Sequence, residues 1–293
     1  MNISQFIERY SGVIEKHLNS LYPADSSLPI IEEAMKYSLL GGGKRLRPLL
    51  AIMSCQLFDG PIDEVVPYAC CIELIHTYSL IHDDLPSMDN DDYRRGKLSN
   101  HKVYGEGFAL LAGDGLLNNA YEILLDCVIS NPTESRIRAA SVISKAAGIS
   151  GMIGGQAIDL YYEDKKIDID KLNEMHGKKT GALIKASLEV GAVISQAAEE
   201  DIERIRLYGE SLGRAYQISD DILDVVGTKE KMGKTIGKDA KENKATYVTY
   251  YGLEKSEKLL TETIDDAKQA LRAYGSKAKL LMEFADFIAC RDA

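Results

Sequence analysis

The sequence predicts an all-α protein made of long helices that pack against one another. Apolar residues recur at helical spacing, as in IEEAMKYSLL, where Ile31, Met35 and Leu39 share one face. Alternating apolar and polar runs, which are typical of strands, are scarce, and only seven prolines interrupt the 293 residues. These observations favour one helical domain that spans residues 1–293.

A central helix is predicted at residues 65–84, VVPYACCIELIHTYSLIHDD. This segment is apolar nearly all round, which is typical of a helix buried on every side. Helical spacing predicts further helices within residues 136–160, 170–196, 200–226 and 254–274. Clusters of glycine, proline and polar residues predict the breaks, at GGGKRLRP, LPSMDNDD, SNPTES and EKMGKTIGKDAKENKAT.

Charge and composition argue against several classes of partner. The net charge is −10 and the pI is near 5.1, whereas binding to nucleic acid or to anionic lipid needs a surplus of Lys and Arg. The five cysteines include no CxxC pair, which is typical of reduced core residues. The N-terminus does not resemble a secretory signal, and no apolar run reaches the roughly 18 residues of a membrane span. We therefore expect a cytoplasmic protein with no stable membrane association and no nucleic-acid partner.

The segment LIHDDLPSMDNDDYRRG, residues 80–96, contains five aspartates. Asp83 and Asp84 end the apolar helix, Pro86 prevents its continuation, and Asp89 follows on the loop. The segment is either a solvated helix end or a cation site. A helix C-terminus already carries partial negative charge, so aspartates there are disfavoured without a cation. Carboxylates in this arrangement suit Mg²⁺ that also binds a substrate phosphate.

A second acidic cluster occurs in YQISDDILDVVG, residues 216–227. Asp220 and Asp224 are four residues apart and share a helix face, with Asp221 beside them. Apolar neighbours indicate that this helix is largely buried, where several carboxylates would repel one another without cations. An exposed acidic edge is the alternative. If the two clusters face each other across a cavity, they could hold several Mg²⁺ ions.

Basic residues accompany both acidic clusters. Arg94 and Arg95 follow the first one, and arginine binds phosphate oxygens bidentately. GGGKRLRP, residues 41–48, gives a flexible turn followed by cations, although it could equally be a plain connection between helices. The other candidates for contacts with phosphate are Lys178, Lys179, Thr180, Lys234, Lys238, Lys244 and His76. Cations beside apolar helix suit a ligand with an anionic head and an apolar tail.

These motifs resemble those of the trans-isoprenyl diphosphate synthases, in particular the bacterial farnesyl diphosphate synthases. The resemblance covers about residues 30 to 255 and rests on six segments in the family's order. They are GGGKRLRP, IHTYSLIHDDLPSMDNDDYRRG, NHKVYGEGFALLAGDGLL, GGQAIDL, HGKKTGAL and YQISDDILDVVG. It implies an isoprenoid-synthase-type bundle of about ten helices around a deep central cavity, usually as a homodimer. It also implies about three Mg²⁺ per site, with Mn²⁺ as a possible substitute.

The resemblance implies a role for each matching residue. The metal ligands would be Asp83, Asp84, Asp89, Asp220, Asp221 and Asp224. Isopentenyl diphosphate would bind at Lys44, Arg47, His76 and Arg95. The allylic diphosphate would bind at Arg94, Lys179, Thr180, Gln217, Lys234 and Lys244. The residues most directly involved in catalysis would be Asp83, Asp84, Asp89, Arg94, Lys179, Asp220 and Lys234.

The implied reaction joins isopentenyl diphosphate head-to-tail to dimethylallyl and then geranyl diphosphate, giving (2E,6E)-farnesyl diphosphate and diphosphate. Tyr78, five residues before Asp83 and thus about 7.5 Å away along the helix, would limit the chain length, together with Ser79. A core aromatic without this role is the alternative. Other open alternatives are a geranyl or geranylgeranyl product, a class I terpene cyclase, and a non-catalytic subunit of a heteromeric synthase.

Overall fold

The computed structural model describes residues 1–22, 28–163, 165–226 and 245–290, and it confirms the all-α prediction. The helices of the first half surround a long central one. They are α1 (Ile3–Ser20), α2 (Pro29–Leu39), α3 (Leu46–Leu57), α4 (Ile62–Asp83), α5 (Asn100–Tyr104), α6 (Glu106–Ser130) and α7 (Glu134–Ala147).

The second half continues the bundle. Its elements are α8 (Met152–Tyr162), α9 (Ile169–His176), a π-helical turn (Gly177–Gly181), α10 (Ala182–Ile194), α11 (Glu199–Val226), α12 (Tyr247–Tyr251), α13 (Leu253–Ala270), a 3₁₀ segment (Arg272–Ala278) and α14 (Lys279–Ala289). The segment 136–160, predicted to be helical, is interrupted between α7 and α8. A Cβ on Gly151 would lie 2.1 Å from the carbonyl oxygen of Ala146, so glycine permits the sharp turn there.

The predicted central helix is α4. It packs against α3, α6 and α10, and most of its side chains are buried, as the all-round apolar pattern indicates. The helix ends at Asp83, with Asp84 as its C-cap residue. This end carries the first acidic cluster into the interior of the bundle. None of the described helices is long and apolar enough to cross a membrane.

A small β-hairpin, which the sequence analysis did not predict, follows the first acidic cluster. Strand β1 (Tyr93–Arg94) pairs antiparallel with β2 (Lys97–Leu98). The two turn residues between them, Arg95 and Gly96, both have positive φ, at 54° and 75°. A two-residue turn with positive φ at both positions matches the twist of a hairpin. The turn places two consecutive arginines beside the end of α4.

Helices α3 and α10 cross at very short range because of Gly191. A Cβ at this position would lie 2.2 Å from the carbonyl oxygen of Ala51 and 2.7 Å from the amide nitrogen of Cys55. Neither backbone atom can move without shifting the helix that contains it. Glycine is therefore required at this crossing by space rather than by backbone conformation.

We predict that Gly191→Ala lowers the free energy of unfolding by about 1–3 kcal/mol, because the added methyl group forces the two helices apart. Urea denaturation followed by circular dichroism measures this. The control is Gly12→Ala in α1, where a Cβ meets nothing within 4 Å. We expect this control to gain up to about 1 kcal/mol from helix propensity. Equal effects of the two substitutions would show that the crossing tolerates a methyl group.

Candidate active site

A cavity of about 830 Å³ lies at the end of α4. Its wall is formed by the loop before α3, the second half of α4, the β-hairpin, α8, the π-helical turn and α11. Many of the residues predicted to bind ligand lie in this wall: Lys44, Arg47, His76, Tyr78, Ser79, Asp83, Arg94, Arg95, Lys179, Thr180 and Asp220. The volume suits a small-molecule ligand. The cavity thus brings together residues from distant parts of the chain.

Asp83 of α4 and Asp220 of α11 lie in the cavity wall, which also contains Glu73 of α4. Burial raises the pKa of Asp83 from the usual 3.8 to about 6, and the Lys179 ammonium opposes this rise. A carboxylate that is buried to this degree is costly to ionise unless a cation lies nearby. The two helices therefore present acidic groups from different sides of one cavity.

The neighbouring Asp84 does not belong to the described wall of the large cavity. It is 2% exposed, and its Oδ1 accepts a hydrogen bond of 3.0 Å from the Nε of Arg94. The Arg94 Nη2 also donates to this oxygen. The hydrogen bond and charge of Arg94 oppose the rise that burial causes in the pKa of Asp84. Asp84 thus holds Arg94 at the edge of the cavity.

Asp221 is placed in the same way behind Asp220. Its Oδ1 accepts from the Nε2 of Gln217 at 2.8 Å, and its Oδ2 accepts from the backbone N–H of Tyr247 at 2.7 Å. Gln217 in turn accepts from the Thr180 hydroxyl at 3.0 Å. This chain connects α11 to the π-helical turn and to α12. Asp224 is also buried, and neither it nor Asp89 lies in the described wall.

No group of three or more His, Cys, Asp or Glu side chains within the described ranges is placed to hold a metal ion. The residues nevertheless fit Mg²⁺ chemically. Asp83 and Asp220 offer hard oxygen ligands, and the burial of Asp83 favours a compensating cation. Two carboxylates plus phosphate oxygens form a usual donor set for Mg²⁺, which seldom binds in an all-protein cage.

A basic rim lies on one side of the cavity, formed by Lys44, Arg47, His76 and Arg95. Burial and the arginines nearby, Arg47 foremost, lower the pKa of His76 well below its usual value. Its ring is therefore neutral at physiological pH and can donate one hydrogen bond. The Nε of Arg47 is buried without a hydrogen-bond partner among the described residues. A buried donor of this kind is available to bind a ligand.

The glycine loop receives one of these arginines. The Arg95 guanidinium donates to the carbonyl oxygen of Gly42, and it lies so close to Gly43 that a Cβ there would meet its Cζ at 2.8 Å. Gly43 also has a φ of 125°, a conformation that favours glycine. Glycine in GGGKRLRP is therefore needed for this contact as well as for the turn.

The π-helical turn supplies Lys179 and Thr180. Such turns are rare and recur at functional sites. The Lys179 Nζ donates to the Oδ2 of Asp159 at 2.6 Å, and a Cβ on Gly155 would lie 2.1 Å from the Lys179 backbone nitrogen. The motif GGQAIDL contains both Gly155 and Asp159, and a role for Asp159 was not among the predictions from the sequence. An acidic residue inside a glycine-containing helical motif is the signal that could have found it.

Apolar side chains line the rest of the cavity, including Met88, Met152, Ile153, Leu160 and Leu223. Tyr78 is 5% exposed, and its ring meets His82 edge to face with centroids 5.6 Å apart. Its hydroxyl is buried with no hydrogen-bond partner among the described residues. The ring lies in the wall five residues before Asp83, which is more than one helical turn.

Lys234, Lys238 and Lys244 lie outside the described residues.

The chain matches one family model, polyprenyl synthetase, over residues 28–280. A farnesyl diphosphate synthase from Bacillus subtilis is 40% identical over 292 residues, which are 99% of this chain and 98% of that protein. A geranylgeranyl diphosphate synthase from Cyanophora paradoxa is 41% identical over 292 residues, covering 99% of this chain and 97% of that protein.

A solved structure shows the same fold. The apo crystal structure of an FPP/GFPP synthase from Zymomonas mobilis superimposes with a TM-score of 0.88 at 35% identity, covering 98% of this chain and 99% of that chain. The match of the family model over most of the chain and the identity to both relatives confirm the resemblance that the motifs indicate. The chain therefore belongs to the polyprenyl synthetase family, the trans-isoprenyl diphosphate synthases.

Proposed function

We propose that this enzyme condenses isopentenyl diphosphate with dimethylallyl and then geranyl diphosphate to give (2E,6E)-farnesyl diphosphate. One observation carries the proposal. A single cavity presents half-buried carboxylates, a basic rim and an apolar wall with an aromatic ring, and these include Asp83, Arg47 and Tyr78, respectively. Such a cavity suits two diphosphate heads and apolar tails. A terpene cyclase would not need the second set of cations.

Asp83 and Asp220 would hold Mg²⁺, about three ions per site, and Mn²⁺ could substitute. When bound, the metal withdraws charge from the allylic diphosphate and makes it a better leaving group. Arg94, Lys179 and Thr180 would bind the same diphosphate and stabilise its charge as the allylic C–O bond breaks. Asp84 and Asp221 would hold neighbouring parts of the site in place, since each accepts hydrogen bonds from the protein.

The basic rim would hold isopentenyl diphosphate, with neutral His76 as a hydrogen-bond donor beside Lys44, Arg47 and Arg95. The double bond of isopentenyl diphosphate attacks the allylic cation, and a C–C bond forms. The departing diphosphate then accepts a proton from the product. The apolar wall keeps water from the cation, which water would otherwise capture. No step requires a nucleophilic side chain.

Purified protein assayed alone with isopentenyl diphosphate, geranyl diphosphate and Mg²⁺ tests this function. We expect farnesyl diphosphate and diphosphate as products, and dimethylallyl diphosphate should serve as the first acceptor. Omission of isopentenyl diphosphate or addition of a chelator should stop turnover. Turnover of geranyl diphosphate alone would indicate a cyclase, and an inactive but folded protein would indicate a non-catalytic subunit.

The relatives do not decide the product, because a farnesyl and a geranylgeranyl synthase are about equally similar. Tyr78 favours farnesyl diphosphate, since its ring lies in the cavity wall five residues before Asp83, about 7.5 Å away along the helix. Ser79 also lies in the wall, and we propose that it limits the chain length together with Tyr78.

We propose a cytoplasmic homodimer. Its support is an apolar surface on α6 formed by Phe108, Leu110, Leu111, Leu125 and Ile129, each more than 40% exposed. Exposed apolar residues in such number on one helix mark protein interfaces. The five cysteines are unpaired, as expected in a reducing compartment.

Light scattering of the purified chain should give twice the monomer mass of 32.3 kDa. Replacing Leu111 and Ile129 with Asp should give the monomer mass, because charge in a buried interface is costly. The matched control carries Asp at Val225 and Val226, which are as exposed but lie on α11. A monomeric parent protein would contradict the proposal.

We predict that Tyr78→Ala shifts the product from farnesyl to geranylgeranyl diphosphate, because removal of the ring leaves space for about one more isoprene unit. Chromatography of the dephosphorylated products measures this. Tyr78→Phe is the control, since it keeps the ring and should still give farnesyl diphosphate. If Tyr78→Ala makes only farnesyl diphosphate, another group limits the chain.

We predict that, in the absence of divalent cations, Asp83 lowers the stability of the folded protein by an amount that depends on pH. Because burial raises its pKa to about 6, the folded state holds this proton more tightly than the unfolded state does. Its contribution to stability is full below about pH 4 and is lost as the pH rises through about 6. Asp83→Asn lacks this loss, so its Tm in chelator should rise relative to the parent protein between about pH 5 and pH 7.5.

Calorimetry in chelator and in Mg²⁺ measures both effects. Mg²⁺ binds the ionised carboxylate, so it should raise the Tm of the parent protein more at the higher pH. Asp126→Asn, which removes an exposed carboxylate of α6, is the control and should show neither change. A Tm difference for Asp83→Asn that does not vary with pH would contradict the assignment.

A further inference from the structure

A buried ion pair, Arg45 with Glu73, lies in the cavity wall beside the basic rim. Arg45 is 3% exposed and Glu73 is 2% exposed, and the Arg45 Nη1 donates to the Glu73 Oε1 at 2.8 Å. Arg45 directly follows Lys44 and lies two residues before Arg47, and Glu73 precedes His76 by three residues, about one helical turn of α4. The pair therefore joins the two chain segments that form the rim.

Arg45 differs from the other cations of GGGKRLRP because each of its three nitrogens is used by the protein. Besides Glu73, its Nε donates to the Glu15 Oε1 at 2.6 Å and its Nη2 donates to the carbonyl oxygen of Leu39 at 2.7 Å. Three acceptors from three segments fix the guanidinium in one place. Lysine, with a single nitrogen, cannot make this arrangement.

The backbone of Arg45 shows why such a fixed side chain matters. Its φ of 51° and ψ of 35° are left-handed, which costs a non-glycine residue about 1 kcal/mol or more. The residue is also the N-cap of α3, so this conformation sets the angle at which the loop enters the helix. Lys44 lies before this bend and Arg47 follows it, and both side chains reach the cavity wall.

Glu73 also opposes the charge of the rim itself. Burial lowers the pKa of Arg47 and of Arg95, and the Glu73 carboxylate acts against this in both cases. A buried carboxylate that pairs with one arginine and attracts two others reduces the cost of bringing these cations together. The rim can thus be assembled before the ligand arrives.

We infer that Arg45 and Glu73 are positioning residues, which hold Lys44, Arg47 and His76 in a preformed cradle for the diphosphate of the non-allylic substrate. This inference rests on the proposed function for the identity of that substrate. Both residues lie in the cavity wall, but the three Arg45 nitrogens and one Glu73 oxygen are held by contacts within the protein. The Arg45–Glu73 pair holds the residues of the basic rim. Its loss should leave Lys179 and Thr180 in place, because they lie on the π-helical turn.

Arg45→Lys and Glu73→Gln test the inference. Both should raise the KM for isopentenyl diphosphate about tenfold or more, which corresponds to about 1.4 kcal/mol of binding, while the KM for geranyl diphosphate changes less than about twofold. Arg138→Lys is the matched control, because Arg138 also pairs with a glutamate, Glu199, at 2.7 Å and lies outside the cavity wall. It should change neither KM.

Calorimetric binding of inorganic pyrophosphate in chelator separates this inference from the proposed function. If the parent protein does not use isopentenyl diphosphate but Arg45→Lys weakens pyrophosphate binding about tenfold, the positioning role stands and the proposed function fails. If the parent protein is active and Arg45→Lys raises both KM values equally, or lowers only the Tm, the positioning role is overturned.

Glu15→Ala keeps the test decisive if the two stronger variants do not fold. Glu15 is the most exposed of the three partners, with 38% of its side chain accessible, and its loss leaves the contacts with Glu73 and Leu39 intact. A rise of about threefold in the KM for isopentenyl diphosphate alone supports the inference. An unchanged KM in a folded Glu15→Ala protein refutes it.

Discussion

The pairing of buried charges is the constraint on which this cavity depends. A charge taken out of water is costly unless an opposite charge and hydrogen bonds compensate it. Around the cavity, this is satisfied by the buried pair of Glu73 with Arg45 and by the partly exposed pairs of Asp84 with Arg94 and Asp159 with Lys179. Each pair joins two different segments of the chain. The bundle can therefore hold cations and carboxylates around one space without a ligand, and their positions are fixed by neighbours in the protein.

Helical geometry explains why two adjacent aspartates take different positions. Successive residues of an α-helix are about 100° apart around its axis, so their side chains leave the helix in different directions. At the end of α4, Asp83 faces the space and Asp84 faces the hairpin; in α11, Asp220 faces the space and Asp221 faces α12. The doubled aspartate in each motif thus combines one group at the cavity with one that organises the wall behind it.

Much of this arrangement could be predicted from the sequence, for a physical reason. Helical periodicity, the all-round apolar character of α4, and the break after Asp84 are local features, and each predicts a local structure. The contacts of Arg45 with Glu15 and Glu73 bridge about 30 residues of chain, and Lys179 meets Asp159 across a helix pair. Such pairings depend on how helices pack, which local patterns do not encode. The hairpin was missed because its strands have only two residues each.

The π-helical turn at Gly177–Gly181 has a consequence for how the chain can change over generations. Its i→i+5 hydrogen bonds accommodate roughly one residue more than an α-helical turn. Loss of a single residue here would restore a regular α-helical turn and leave α9 and α10 nearly in phase. The residues within the turn would shift by one position relative to the cavity, where Lys179 and Thr180 now lie. The two helices could therefore tolerate a one-residue deletion that the cavity wall could not, and the segment should keep its length even where its composition drifts.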